Sequence, residues 1–182
     1  MKKTPIVVLI TLVFVISLYS FSNKTKEYSI VYTCLPCGSG CDSAVYDKPG
    51  TCSCNMKLVD KSTIVHKNIE PGKMCSLNEK NVVFLDVRTA AEFNGTAPDK
   101  FGAIKNAINI PVQELESRIK ELEKYKEKEI VVYCSHSHRS PRASYMLTQN
   151  GFKKVTNMLG GMSVWKDQVK KNDCNERLYQ QQ

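Results

Sequence analysis

The sequence predicts an α/β domain, with a central parallel sheet flanked by helices, preceded by a small cysteine-rich knuckle. Three observations carry this. From Lys61 onward, short β-branched and aromatic runs alternate with helix-like stretches, and strands joined by helices pair in parallel through right-handed crossovers. Ahead of that pattern Cys34, Cys37, Cys41, Cys52 and Cys54 crowd into 21 positions. Finally, Cys134 follows the apolar run Ile130-Val131-Val132-Tyr133 and opens a polar loop, at the strand end where ligands of such sheets bind.

The elements follow in order. Residues 1–22 read as a signal peptide or N-terminal anchor: Met1-Lys2-Lys3 is basic, Pro5 to Tyr19 is almost unbroken apolar sequence, and Ser20-Phe21-Ser22 offers small residues for cleavage. The chain is therefore expected to be exported, periplasmic or anchored facing the periplasm, touching a membrane only through residues 5–22 if these stay uncut. Residues 28–59 form the knuckle, broken by Gly38, Gly40 and Pro49-Gly50. So few large apolar side chains cannot order thirty residues without metal or disulfide staples.

The α/β domain is expected over residues 62–172, with 173–182 as a C-terminal tail. Ile64-Val65 is a short candidate strand and Pro71 to Leu77 a short helix. Val82-Val83-Phe84-Leu85 reads as a buried strand ending at Asp86-Val87-Arg88, and Ala107 to Ile110 as the next, stopped by Pro111. Val112 to Lys126 places Leu115, Ile119 and Leu122 at helical spacing among charges, an amphipathic helix. After the strand Ile130 to Tyr133, Ser140 is the expected N-cap of a helix with Pro141 at its first position and Gly151 beyond its end. Val155 to Leu159 is a last strand, broken by Gly160-Gly161, and Met162 to Val169 a closing helix.

Charge and cysteine usage narrow the function. The formal charge is +8, but acidic residues are interleaved through Glu114–Glu129, which describes a solvated helix face; no basic stripe for nucleic acid emerges. Eight cysteines in an exported chain suit disulfides. Yet five in one cluster cannot all pair within it, so either metal takes several or one pairs with Cys75 or Cys174. Cys34 and Cys37 have the spacing of a tetrahedral ligand pair, and thiolates favour zinc or copper(I).

Cys134 is the candidate catalytic residue. A chain turning from a strand into a helix points free backbone N–H groups at whatever lies above the turn, which favours an anion. With Arg139 nearby, the thiol should ionise more easily than a free cysteine. The bland alternative is a buried core cysteine, but polar Ser135, His136, Ser137, His138 and Arg139 follow at once. These five form the candidate substrate-binding loop. Arg139 can also brace the loop against a carboxylate such as Glu92 or Asp86, and Asp86, Arg88 and Glu92 are the candidate loop supports.

Four stretches resemble a single-domain rhodanese: Leu85-Asp86-Val87-Arg88-Thr89-Ala90-Ala91-Glu92-Phe93, Gly102 to Pro111, Val131-Val132-Tyr133-Cys134 with Arg139-Ser140, and Gly160-Gly161-Met162-Ser163-Val164-Trp165. The resemblance implies a rhodanese-like fold and a sulfurtransferase in which Cys134 takes sulfane sulfur from a thiosulfate-like or persulfide donor, holds it as a persulfide, and passes it to a thiol or cyanide. No cofactor is expected for that transfer. Where the family has Gly-His-Ile, this chain has Gly95-Thr96-Ala97 and an insertion to Phe101. Four residues separate Cys134 from Arg139, whereas the related cell-cycle phosphatases and arsenate reductases have five and a wider cradle; the shorter ring suits a persulfide.

The knuckle resembles a small heavy-metal-binding domain through Tyr32-Thr33-Cys34, Lys48-Pro49-Gly50-Thr51-Cys52 and Cys54 to Val59, with Cys52-x-Cys54 in place of the family's Cys-x-x-Cys. This implies metal ligation by Cys34, Cys37, Cys41, Cys52 and Cys54. A second reading of the whole chain is a non-catalytic exported module that binds metal or polysulfide.

Overall fold

The structure is a computed structural model describing residues 29–169 and 173–182; the expected leader at 1–22 lies outside the described residues. Among those described, no helix is long and apolar enough to cross a membrane. In the knuckle, β1 (Tyr32–Thr33) is flanked antiparallel by β2 (Val45–Tyr46) and β3 (Val59–Asp60). Its buried cluster consists of Cys34, Cys41, Cys52 and Leu58, so sulfur occupies the space a larger domain fills with aliphatic side chains.

A five-stranded, all-parallel sheet follows. Its strands are β4 (Lys67–Ile69), β5 (Val82–Asp86), β7 (Ile108–Asn109), β8 (Glu129–Tyr133) and β9 (Lys154–Met158), in the order β4-β9-β8-β5-β7. The central position of β8 explains its apolar sequence: both faces are covered, and Ile130 to Tyr133 are wholly buried. One face packs Leu85, Ile130, Val132 and Leu147, and the other Phe84, Val131, Met158 and Trp165.

Several elements differ from expectation. The first sheet strand is Lys67–Ile69, and exposed Val65 is not part of it. This is an edge strand with one neighbour, so it tolerates polar residues, and its Asn68 Oδ1 accepts from Asn157 Nδ2 at 2.9 Å. The segment after Pro111 is α only over Leu115–Arg118 and 3₁₀ over Ile119–Tyr125. There the apolar positions Ile119, Leu122 and Tyr125 recur every three residues, which suits three residues per turn. Met162 to Val169 likewise divides into a 3₁₀ turn at Gly161–Val164 and a short α-helix at Trp165–Gln168.

Residues 173–182 return to the domain. The helix Asp173–Leu178 leads into β10 (Tyr179–Gln180), which pairs antiparallel with β6 (Ala103–Ile104). Leu178 is buried and Tyr179 stacks on Trp165 at 6.3 Å. Cys75 is disulfide-bonded, whereas the five knuckle cysteines and Cys134 are free.

Candidate active site and cysteine cluster

The carboxyl end of β8 delivers Cys134 beneath a loop that enters the ten-residue helix Ser140–Gln149. Ser140 is the first residue of that helix, and the N-cap position falls to Arg139, which makes no side-chain capping bond. The shift of the cap by one residue has a chemical reason. The Ser140 hydroxyl is buried and lies 3.5 Å from Cys134 Sγ, so it serves the thiol instead of the helix end, and the amides of the first turn keep their hydrogens for the sulfur.

Burial alone would push the Cys134 thiol up. It is nevertheless lowered, because the Ser140 hydroxyl and the backbone N–H groups of Ser140, Arg139 and His136 bond its thiolate. A sulfur anion in this ring is stabilised as an oxyanion hole stabilises oxygen.

The loop is braced from outside. Arg139 makes a two-pronged ion pair with Glu92, 2.7 Å from Nη1 to Oε2 and 2.6 Å from Nη2 to Oε1. Ser135 Oγ accepts from Arg139 Nη2 at 2.5 Å and donates to Glu92 Oε1 at 3.1 Å. Glu92 is itself fixed in a capping box with Thr89, and the Arg139 guanidinium holds its carboxyl down at about 2. The guanidinium therefore faces Glu92 as a strut. Behind the loop, Met162 N donates to Cys134 O and Ser163 N to Ser135 O, both at 2.9 Å. Gly161, at φ +67°, passes so close to those two carbonyls that a Cβ would collide with them.

Asp86 and Arg88 lie elsewhere. Both are fully buried and pair with each other, 2.7 Å from Nη2 to Oδ2, and the guanidinium also reaches Gly102 O at 2.9 Å. They tie the end of β5 to the Gly102 turn, with only Glu92 of the three candidate supports bonded to the loop. Ser137, at φ +60°, turns its hydroxyl towards Met158 O at 3.3 Å. His136 and His138 are exposed and stack at 6.1 Å.

In the knuckle, the sulfurs of Cys34, Cys37, Cys41 and Cys54 all lie within 4.8 Å of one another. Five of their separations are 3.2, 3.4, 3.6, 3.8 and 3.9 Å. Tetrahedral zinc with sulfur bonds of about 2.3 Å needs edges of about 3.8 Å. The donor set thus fits a tetrathiolate metal. Cys52 falls outside the four but touches Cys54 at 2.9 Å. Although burial opposes it, hydrogen bonding from Cys34 and Cys54 lowers the Cys52 thiol to about 6, whereas Cys54, chiefly through its bond to Cys52, is raised to about 12.

Sequence reasoning did not find the Ser140 contact, the Gly161 prop or Phe101, whose ring meets His136 edge-on at 5.3 Å. Gly160-Gly161 was the available signal for the prop. A strand-to-helix loop that bonds one thiolate through its amides, with a serine hydroxyl beside it and an arginine strut outside, defines a rhodanese-type site. The chain belongs to the Rhodanese-like domain family, whose profile matches residues 75–168.

A sulfurtransferase of Allochromatium vinosum is 31% identical over 86 residues, covering 47% of this chain and 73% of that protein. A tRNA uridine(34) hydroxylase of Cytophaga hutchinsonii is 30% identical over 119 residues, 63% of this chain but 36% of the hydroxylase. Among solved structures, reduced CoADR-RHD of Bacillus anthracis matches with a TM-score of 0.50 and 27% identity, over 63% of this chain and 18% of that one.

Proposed function

We propose that the protein is a sulfurtransferase that carries sulfane sulfur on Cys134. The observation that supports it most is the convergence of the Ser140 hydroxyl and three backbone amides on a thiol otherwise shut away from water. With thiosulfate as donor, the Cys134 thiolate attacks the outer sulfur, the sulfur–sulfur bond of thiosulfate breaks, and sulfite leaves with the bonding pair. The persulfide anion then sits where the amides point. An acceptor thiolate or cyanide attacks the outer sulfur, the persulfide bond breaks, and the Cys134 thiolate is regenerated. Thiosulfate-like and persulfide donors both fit this scheme, and the sulfurtransferase relative supports the reaction class.

We further propose that the chain is exported, which the leader-like sequence of residues 1–22 supports, and that the knuckle holds zinc or copper(I) on Cys34, Cys37, Cys41 and Cys54, which the spacing of their sulfurs supports. The tRNA hydroxylases' own activity belongs to proteins of which this chain spans about a third.

Intact-protein and peptide mass spectrometry after incubation with thiosulfate tests the proposal. The Cys134 peptide should gain one sulfur, lose it to cyanide or reductant, and carry none in Cys134→Ser, which should also lose all thiosulfate-to-cyanide turnover. A wild-type Cys134 peptide that no thiosulfate or persulfide donor ever loads would leave only the non-catalytic module.

A further inference from the structure

The two cysteine sites meet at one point. The turn Cys37-Gly38, which carries one of the four clustered cysteines, lies against the sulfur loop: at Gly38, φ +83°, a Cβ would sit 2.7 Å from His138 Cε1. With the ring where it stands, a side chain at this left-handed position would have to displace it. Asp42 holds the turn in shape, its Oδ1 accepting from Cys37 N at 2.8 Å and its Oδ2 from Gly38 N at 2.9 Å.

His138 stacks on His136, and His136 meets Phe101 of the inserted segment. Gly38, His138, His136 and Phe101 therefore form a continuous row along the outer rim of the loop. Behind Gly38 the knuckle stands off the sheet domain. A cavity of about 520 Å³ separates them, with Cys34, Pro36 and Asp42 on one side and Ser137, Pro141 and Asn157 on the other. The rim contact therefore lies at the edge of this cavity.

We propose that the knuckle forms one wall of the Cys134 mouth, a wall that stands only when a thiophilic metal binds the four knuckle thiolates, so that metal occupancy sets the size of the molecules that exchange sulfur at Cys134. The proposal rests on the sulfurtransferase reading. Its physical basis is the composition of the knuckle: a buried cluster of three cysteines and one leucine cannot order this segment by itself, so metal binding and folding are one event. Without metal the Cys37-Gly38 turn loosens and the His138 side of the row opens. With metal it is fixed at van der Waals contact, admitting thiosulfate and small thiols and excluding bulky ones.

Thiol labelling of the full chain tests this without relying on turnover. Alkylation of Cys134 by small iodoacetamide and by bulky fluorescein maleimide is followed on its peptide, with zinc(II) loaded or chelated under reductant. Zinc should slow the maleimide at least about 5-fold, within the usual range for coupled sites, and change iodoacetamide little. His138→Ala, which deletes the ring under Gly38, should restore maleimide labelling in the zinc-loaded protein. Equal size discrimination with and without zinc, failure to take up zinc, or unaltered discrimination in His138→Ala would each overturn the proposal. Persulfide formation without metal-dependent discrimination would sink this inference alone, whereas discrimination at a cysteine that never accepts sulfur would sink the transferase reading.

Discussion

Cysteine does opposite work in the two halves of this molecule. In the knuckle, Cys34, Cys41 and Cys52 are the core, with Leu58 the one aliphatic residue in the buried cluster. In the sheet domain, Cys134 is one buried member of a core whose bulk comes from aliphatic residues such as Leu85, Ile130, Val132 and Leu147, and its sulfur meets hydrogen-bond donors instead of other thiols. The knuckle thiols answer to one another: a neighbour's hydrogen bond lowers Cys52 while the reciprocal contact raises Cys54. Cys134 answers to backbone amides, one hydroxyl and the Arg139 guanidinium. A thiol tuned by other thiols is suited to sharing a metal, and one tuned by fixed dipoles is suited to carrying an anion.

The sharpest way to separate the halves is to attack what holds each. Arg88→Leu leaves the Asp86 carboxylate buried without its partner and should cost the sheet domain about 3–5 kcal/mol, since breaking one side of a buried pair is strongly destabilising. The knuckle should keep its metal affinity wherever the domain remains folded. Urea denaturation alongside a zinc competition titration checks both. Loss of metal uptake in parallel with mild domain destabilisation would break the comparison, because the halves would then be one folding unit.

If the knuckle holds the proposed metal, removing it should do the converse. Chelation, or Cys41→Ser, is expected to expose residues 29–60 to protease and amide exchange while the strands β5, β8 and β9 keep their protection, as a segment whose core is thiolate unfolds without its ion. Hydrogen exchange resolved by peptide reads this. Uniform loosening of knuckle and sheet would contradict the division.

What the sequence revealed follows the same division. The strands β5 and β8 were readable because a parallel strand covered on both faces must be apolar throughout, and Cys134 was readable because it ends such a run. The row at the loop rim was not. Gly38, His138 and Phe101 lie far apart in the chain and meet through surface contacts that leave no periodicity. Likewise Tyr179–Gln180 pairs with Ala103–Ile104, two residues against two, too short for any alternation. Ser140 misled because serine before proline is the usual signature of a helix cap; its burial beside Cys134 is a tertiary fact.

Smaller effects test the loop itself. In Glu92→Gln the Arg139 strut loses its charge partner, and kcat/KM for thiosulfate should fall about 10-fold as the amide ring loosens, within the range that slight misplacement costs. Glu92 is depressed in the folded protein, to about 2. The stability it contributes is therefore present above its ordinary carboxylate range and is lost as pH falls through about 2. At neutral pH the wild-type strut is intact, and Glu92→Gln should have a flatter acid limb in its unfolding profile.

The finest test concerns one hydroxyl. Ser140→Ala removes the hydrogen-bonding group 3.5 Å from Cys134 Sγ and leaves the three amide donors in place. The wild-type thiol is lowered relative to a free cysteine, so its reactive thiolate appears at lower pH and persulfide formation rises as pH passes through that depressed value. Losing one hydrogen bond of about 1 kcal/mol should move the profile up by somewhat less than one pH unit. The rate at neutral pH then falls a few-fold while the alkaline plateau stays the same. An unmoved profile with a lowered plateau would mean that Ser140 shapes the loop without tuning the thiol, and Cys134 would then owe its acidity to the backbone amides and the Arg139 guanidinium, in contrast to the knuckle, where thiols tune one another.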